Sequence, residues 1–478
     1  MSSWDQRQTL PLPRQAAFAA RLSLPRPSEA LKRIGGLLSL GALLAATLAV
    51  VLAASAGPSV LVPRSSQSFP GWVAGPLHGL IGSLSLTPKA LQLDVSILVV
   101  AMMLPYLLAI ITARALPARV VVIAVVALHV ILLLSPPFQL TDIFNYLGYA
   151  RLGALHGLNP YSHVFAETSH DPVYVFTTWR NLTSPYGPLF TAITYPLALI
   201  SLPVAYWLAK TATVIASLVL LALVWQCARR LGRDPRTALV FVALNPIYLI
   251  WALGGFHNDF FMLDLSMAAV VLVLDRRDRA AGAALAAAVA IKFTALLLLP
   301  FVLLATPSAR RRLRVLEGAG AAAIPLLALS VALFGLTIPN LETQSTLLTS
   351  YSVPNLVGDA IGAGGGAPWL LHLADVGLAL TVGWLLVRNR DWISGAGWAT
   401  LALLVSLAWL VPWYVVWALP FAALGTSARL RRWTVAMTVF LMLTFVPWTP
   451  VLLAEHHIGT MNGPAGAASY AREGALQR

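Results

Sequence analysis

The sequence predicts an all-α polytopic integral membrane protein, a bundle of about 11–13 transmembrane or re-entrant helices with interfacial helices in an outer loop after Asp142. Three observations point there. The 478 residues are 58% hydrophobic and 10% charged, with a mean hydropathy of +0.78, whereas a soluble domain carries about 25% charged residues. Apolar runs of membrane-spanning length, such as 34–57 and 93–113, recur along the chain. The runs are continuous instead of alternating, which does not describe a membrane β-barrel.

The net charge of +14 is distributed in a telling way. Nucleic-acid binding needs a basic face on a soluble domain with exposed aromatics beside it. Here the cations sit in short clusters between apolar runs: Arg229, Arg230, Arg233 and Arg236; Arg276, Arg277 and Arg279; Arg310, Arg311, Arg312 and Arg314; Arg429, Arg431 and Arg432. That is the positive-inside pattern of a plasma-membrane protein, so the clusters mark topology and nucleic acid is not an expected partner. With the clusters inside, 24 of the 32 lysines and arginines fall in a tail or in inner loops. The single cysteine, Cys227, allows no intramolecular disulfide.

Placing these clusters on the cytoplasmic side orders the elements. A basic tail over 1–33 is cytoplasmic, a membrane domain covers 34–455, and 456–478 forms an extracytoplasmic C-terminal tail. The run 34–56 leads out to a first outer loop, about 57–92, and 93–113 returns to Arg114 and Arg119. The run 120–134 then delivers Asp142 to a second outer loop, 136–187. Of the stretches 188–201 and 204–227 only one crosses, so the shorter is read as re-entrant or broken. The run 237–253 leads out to Gly254–Asp259, and 260–274 returns to Arg276. Residues 282–305 begin and end at inner clusters and read as a hairpin with Lys292 near its tip. The run 315–334 exits to a third outer loop, 335–368, and 369–387 returns. Two further spans bracket Pro412-Trp413-Tyr414, and 433–454 ends outside.

This threading gathers the unusual polar residues on one face: Asp142, Asn145, Arg151, His156, Arg180 and Tyr186, then His257, Asn258 and Asp259, then Trp413 and Tyr414. A transporter more often places its charges near the midplane in two related halves, and no internal repeat stands out. Asp142 is the most informative of the set, because an ionisable group at the mouth of a membrane bundle is costly to place. Helical spacing aligns Asp142, Asn145, Tyr149 and His156 on one ridge, opposite Ile143, Leu147 and Ala154, which suggests a helix lying in the interface plane. Residue type alone leaves Asp142 open between helix capping and chemistry, and Thr141 caps equally well. Tyr186 suits the floor of a sugar pocket, whereas Trp179 and Trp413 also suit an interfacial belt. Asn181-Leu182-Thr183 matches a glycosylation acceptor only as a short pattern. The histidines lack zinc spacing, so no metal set is assigned and no cofactor is required, although a divalent metal is left open.

Taken in order, several strings resemble the GT-C class of membrane glycosyltransferases. They are Asp142-x-x-x-Tyr146, Gly157-Leu158-Asn159-Pro160-Tyr161, Trp179-Arg180, Ser184-Pro185-Tyr186-Gly187-Pro188, Gly255-Phe256-His257-Asn258-Asp259, Ala290-Ile291-Lys292 and Pro412-Trp413-Tyr414 before Trp417-Ala418-Leu419-Pro420. Within that class they are most similar to the polyprenyl-phosphomannose-dependent alpha-1,6-mannopyranosyltransferases of actinobacteria. The resemblance implies transfer of a sugar, most simply mannose, from a polyprenyl-phosphate donor to a glycan or glycolipid acceptor on the extracytoplasmic face. It implies Asp142 as general base and inversion at the anomeric carbon. Arg180, His257 and Arg151 become the cations expected to face the donor phosphate. Asn145, Tyr146, Tyr186, Asn258, Asp259, Trp413 and Tyr414 become the substrate-binding set. A flippase of lipid-linked saccharides, or an enzyme transferring arabinose or glucose, is the competing reading.

Overall fold

The computed structural model describes residues 28–63, 69–82, 85–340, 343, 347–388, 391–461 and 463–477. Most of the expected basic tail, residues 1–27, lies outside the described residues. Among those described, the regular elements are all helical. The chain is a multi-pass membrane protein.

Helix α1 (Glu29–Ser55) is capped by Ser28, whose hydroxyl accepts from the Leu31 N–H. Helices α2 (Pro88–Ala101) and α3 (Met103–Thr112) form one interrupted span. The interruption falls just before Pro105, which has no N–H for the carbonyl four residues back. Then follow α4 (Ala118–Leu133), α5 (Asp142–Ala154), α6 (Pro188–Ala198), α7 (Leu202–Arg230), α8 (Pro235–Ala243), α9 (Asp259–Leu274), α10 (Asp278–Ile291) and α11 (Ala309–Phe334). The chain continues through α12 (Val353–Ala360), α13 (Pro368–Arg388), α14 (Trp392–Ser406), α15 (Leu419–Leu424), α16 (Ala428–Phe445), α17 (Thr449–Glu455) and α18 (Pro464–Gln477). Five described stretches are long and apolar enough to cross a membrane: α1, α2 with α3, α7, α11 and α13. The pair α16 and α17, bent by 59°, makes a sixth if it is one span. Shorter apolar helices, among them α4, α14 and Phe293–Leu304, complete the bundle.

Three places break the helices, and each break satisfies its backbone internally, as hydrocarbon surroundings demand. After α8, Pro246 ends the regular pattern and the Asn245 side chain accepts from the N–H groups of Ile247 and Tyr248 at 3.0 and 3.3 Å. Its amide donates to Thr438 and Tyr106. A wide π turn, Tyr248–Leu253, then leads to α9. The second break is at Lys292, between α10 and the 3-10 turn Phe293–Leu298. The third separates α14 from the 3-10 turn Pro412–Trp417.

The helix ends define two poles. At one, Arg230 pairs with Asp275 at 2.6 and 2.8 Å, Arg311 with Asp278 at 2.7 and 2.8 Å, and Arg279 with Glu317 at 2.8 Å. The first joins the C-terminal end of α7 to that of α9, and the other two join the N-terminal ends of α10 and α11. Asp259 and Lys292 stand at the other ends of α9 and α10, so they mark the opposite pole.

One element differs from the sequence reading. Helix α5 does not present one polar ridge to an interface: Ile143 through Ala150 are all buried, because α6, α7 and the loop around Trp72 cover it on both sides. The C-terminal segment packs on the bundle. Helix α18 docks on the loops, with Leu476 and Ala475 carbonyls accepting from the backbone and side chain of Asn181 and Ser469 accepting from Leu348 N–H. The Asn181 amide is therefore engaged by α18.

Helices α10 and α11 approach each other closely. A Cβ on Gly282 would stand 1.9 Å from the Val315 carbonyl oxygen, and one on Gly318 would stand 1.9 Å from that of Arg279. Small residues are what let two membrane helices meet at this distance. Gly282→Ala should therefore destabilise the detergent-solubilised protein by about 1–3 kcal/mol, the usual cost of overpacking. Gly320→Ala, where a Cβ meets nothing within 4 Å, should leave the Tm unchanged or higher. Equal Tm values for the two variants would contradict the packing.

Candidate active site

Asp142 is the first residue of α5, and its predecessor Thr141 occupies the N-cap position. The Thr141 hydroxyl makes no bond to the helix; it lies 2.5 Å from that of Thr178. Neither residue uses its side chain as a cap, so capping does not account for Asp142. Its carboxylate stays partly open, with the side chain 19% exposed.

His257 comes to it from the break before α9. The π turn and Gly254-Gly255 fold the chain tightly: a Cβ on Gly255 would meet the His257 ring at 2.6 Å, and one on Gly254 would meet the Phe138 ring at 2.5 Å. Phe256 adopts φ +54°, a left-handed conformation costly for an aromatic residue and typical of functional sites. The result sets Nδ1 of His257 3.0 Å from Oδ2 of Asp142, off the line of a regular hydrogen bond. The buried imidazole stacks on Trp413, centroids 3.8 Å apart and planes at 12°.

A second acid–base pair lies alongside. Oδ1 of Asp259 accepts from Lys292 Nζ at 2.7 Å and from Trp417 Nε1 at 2.5 Å. The Lys292 ammonium stands 4.7 and 4.9 Å from the stacked rings of Tyr414 and Trp417, a favourable cation–π position. Asn258 donates its N–H to the Tyr146 hydroxyl at 3.0 Å. Tyr146 in turn packs edge-on against Tyr186 and Phe190, both at 4.9 Å. Tyr186 is held by its carbonyl, which accepts from Tyr161, and by Gly187, whose N–H donates to Ile291. A Cβ on Gly187 would stand 2.2 Å from the Ala290 carbonyl, so only glycine lets this loop lie against the Lys292 turn.

Besides His257 Nδ1, four polar atoms here are buried without a hydrogen-bond partner among the described residues: Asn145 Nδ2, Asn258 Nδ2, Asp259 Oδ2 and His257 Nε2. Unsatisfied buried polar groups are rare and each costs about 1–3 kcal/mol. Two amide donors and a carboxylate acceptor beside tyrosine and tryptophan rings suit a polyhydroxylated ligand. Among the described residues no three His, Cys, Asp or Glu side chains come together as a metal site.

The two arginines are placed differently. The Arg180 guanidinium lies over the Tyr174 ring at 4.3 Å and donates to the Tyr174 carbonyl at 3.3 Å, with Nε unpartnered. It touches neither Asp142 nor His257, although Thr178, two residues earlier, bonds to Thr141. Arg151 sits in the last turn of α5, where its Nε donates to both oxygens of buried Asp171 at 2.9 and 3.0 Å. His156 contacts the same carboxylate at 2.8 Å. The charge expected to face a phosphate is already neutralised there, because Asp171 lies in the loop that folds back over α5. Lys292, by contrast, had no role assigned from sequence. Its position at a hairpin tip level with His257 was the available signal.

Comparison with known proteins fits this picture. A family model described as alpha-(1->6)-mannopyranosyltransferase, N-terminal domain, matches residues 39–308, and one for glycosyltransferase family 87 matches residues 185–447. The chain belongs to the alpha-(1->6)-mannopyranosyltransferase family. This glycosyltransferase is 28% identical over 351 residues to alpha-(1->6)-mannopyranosyltransferase A of Mycobacterium tuberculosis, covering 66% of this chain and 67% of that one. It is 33% identical over 190 residues to alpha-(1->6)-mannopyranosyltransferase A of Corynebacterium glutamicum, 37% of this chain and 36% of the relative. No solved structure matches it.

The Asp171 cluster fixes the loop around the site and sets a pH dependence. Burial pushes the Asp171 carboxyl up, but bonds from Arg151, the Val173 N–H and His156 outweigh it and hold the group below its ordinary value of 3.8. Its stabilising contribution is therefore complete above about pH 4 and is lost as pH falls through the depressed folded value. Asp171→Asn should lower the Tm at pH 7 by an amount that shrinks as both proteins are acidified below pH 4. A constant Tm difference across that range would count against the ion-pair account.

Proposed function

We propose that this glycosyltransferase moves mannose from a polyprenyl-phosphate-linked donor to a hydroxyl of a glycan or glycolipid acceptor, with Asp142 as general base. The observation that supports this most is the 3.0 Å approach of His257 to a partly open Asp142 carboxylate, beside unpartnered polar atoms suited to a sugar. The pole opposite the arginine clusters is assigned to the extracytoplasmic side by the positive-inside rule. The N-terminus is then cytoplasmic.

The acceptor hydroxyl gives its proton to Asp142 as its oxygen attacks the anomeric carbon. The bond to the lipid phosphate breaks on the opposite side, and the electron pair leaves with the phosphate. Inversion of a beta-linked donor yields an alpha linkage, in keeping with the alpha-(1->6) chemistry that the relatives' names state. His257, protonated on Nδ1, orients the carboxylate. Negative charge grows on the leaving phosphate, where preorganised cations contribute most. Lys292, bonded to Asp259 at 2.7 Å, is the cation assigned to that phosphate, with Arg180 on the loop between α5 and α6. An apolar cavity lined by Met262, Leu263, Thr294, Ala295, Trp417 and Phe421 lies directly below the Lys292 turn. The donor is a substrate in this scheme, and no cofactor takes part.

A transfer assay with polyprenyl-phosphomannose and an oligomannoside acceptor tests the reading. Asp142→Asn should lower kcat by about 10²–10⁴-fold, the usual range for a general base, and His257→Ala by less. Wild-type turnover in Asp142→Asn would sink the base assignment. Failure of the wild type to transfer from any polyprenyl-phosphate sugar would sink the donor class. Lys292→Met should chiefly raise the donor KM and lower kcat/KM by roughly 10²-fold; an unchanged kcat/KM would remove it from the phosphate site.

A further inference from the structure

Lys210 is fully buried in the membrane helix α7. Its Nζ donates to the Ser135 carbonyl at 2.5 Å and lies 4.1, 4.8 and 5.1 Å from the rings of Trp207, Phe256 and Tyr206. No carboxylate among the described residues pairs with it. An ionisable side chain at this depth is expensive and usually serves a function. A methionine would fill the same space without the desolvation cost. What Nζ touches must therefore explain why it is there.

Its contacts lead to the Asp142–His257 pair from separate directions. Ser135 opens the connection from α4 to α5, and that connection ends at Asp142. Midway along it, the Phe138 N–H donates to the Gly254 carbonyl at 3.0 Å, tying it to the turn that carries His257. Phe256 directly precedes His257 and holds the left-handed backbone that aims the imidazole. Tyr206 stacks on Phe144, two residues past Asp142, with centroids 5.5 Å apart and planes at 4°. Trp207 is a fixed wall, its Nε1 donating to the Trp72 carbonyl at 3.0 Å.

We propose that Lys210 is a positioning residue for the transfer reaction: its Nζ clamps the loop that carries Asp142 to the turn that carries His257. This rests on the reading of Asp142 as the base. Without Nζ, the Ser135 carbonyl loses its donor and Phe256 loses the group packed on its ring. Both halves of the pair then lose their common anchor, while the substrate-contacting groups on α9, α10 and the Pro412–Trp417 turn keep theirs.

The full-length protein in detergent supplies the test, with polyprenyl-phosphomannose and an oligomannoside as substrates. Lys210→Met should lower kcat by about 10²-fold, the scale of a misplacement near 1 Å, with the donor KM within about threefold of wild type. In a His257→Ala background the same substitution should cost clearly less than its full 10²-fold, since part of the clamp acts through that imidazole. Wild-type kcat in Lys210→Met, or losses that multiply in the double variant, would overturn the proposal. If Lys210→Met does not fold, Phe256→Leu removes the ring side of the clamp and should reproduce the kcat loss with KM retained. A folded Phe256→Leu protein with wild-type kcat would equally overturn it. An inactive Asp142→Asn beside a fully active Lys210→Met rejects the clamp alone, whereas a fully active Asp142→Asn rejects the base reading beneath it.

Discussion

The backbone's need for internal hydrogen bonds in hydrocarbon governs this molecule. A membrane helix can be interrupted only where protein covers the freed groups, and the three interruptions that build the site are all covered in this way. Asn245 caps the first, at the end of α8. The Ile291 carbonyl beside Lys292 accepts from the Gly187 N–H. The third, before Pro412–Trp417, is held by Thr349, which bonds the Ala408 and Leu410 segment. Each interruption turns side chains inward that a continuous helix would have pointed along its own flank. His257, Lys292 and the Trp413–Trp417 aromatics reach one another for that reason.

Charge follows the same geometry. At the arginine pole the acids are partnered, and the pairs are partly exposed, so they fix helix ends more than they add stability. At the opposite pole the charged groups are more deeply enclosed. Asp259 divides its bonds between Lys292 and Trp417, and one oxygen remains free. An ion pair so enclosed is weak evidence of stabilisation. Its cost is better understood as preorganisation, with the cation and the donors fixed before a substrate arrives.

Much of this was legible in the sequence, because the signals were local. Apolar runs and arginine clusters gave the helical membrane class. The ordered strings around Asp142 and His257 marked two residues that the fold brings within 3.0 Å. What stayed hidden depended on distant partners. Arg151 reads as a free cation until the loop returns Asp171 to it, 20 residues later. The ridge along α5 reads as amphipathic until α6, α7 and Trp72 close over its other side. Lys292 reads as the tip of a hairpin, and nothing local says that Asp259 and two rings from near the end of the chain will meet it. The docking of α18 likewise has no local sign, since Asn181 and Ala475 are 294 residues apart.

The wide separation of the partners has a consequence for biogenesis. Asp259 and Trp417 are 158 residues apart, and at a synthesis rate of about 5–20 residues per second the acid waits roughly 8–30 s for its indole partner. Throughout that interval the end of the α9–α10 hairpin carries an acid, a lysine and the Asn258 amide with the aromatic wall still missing. The Asp259–Lys292 pair forms within this hairpin, 33 residues apart. It needs none of the later aromatic wall. The same contact that enters the finished site is therefore available to the hairpin well before the site is complete.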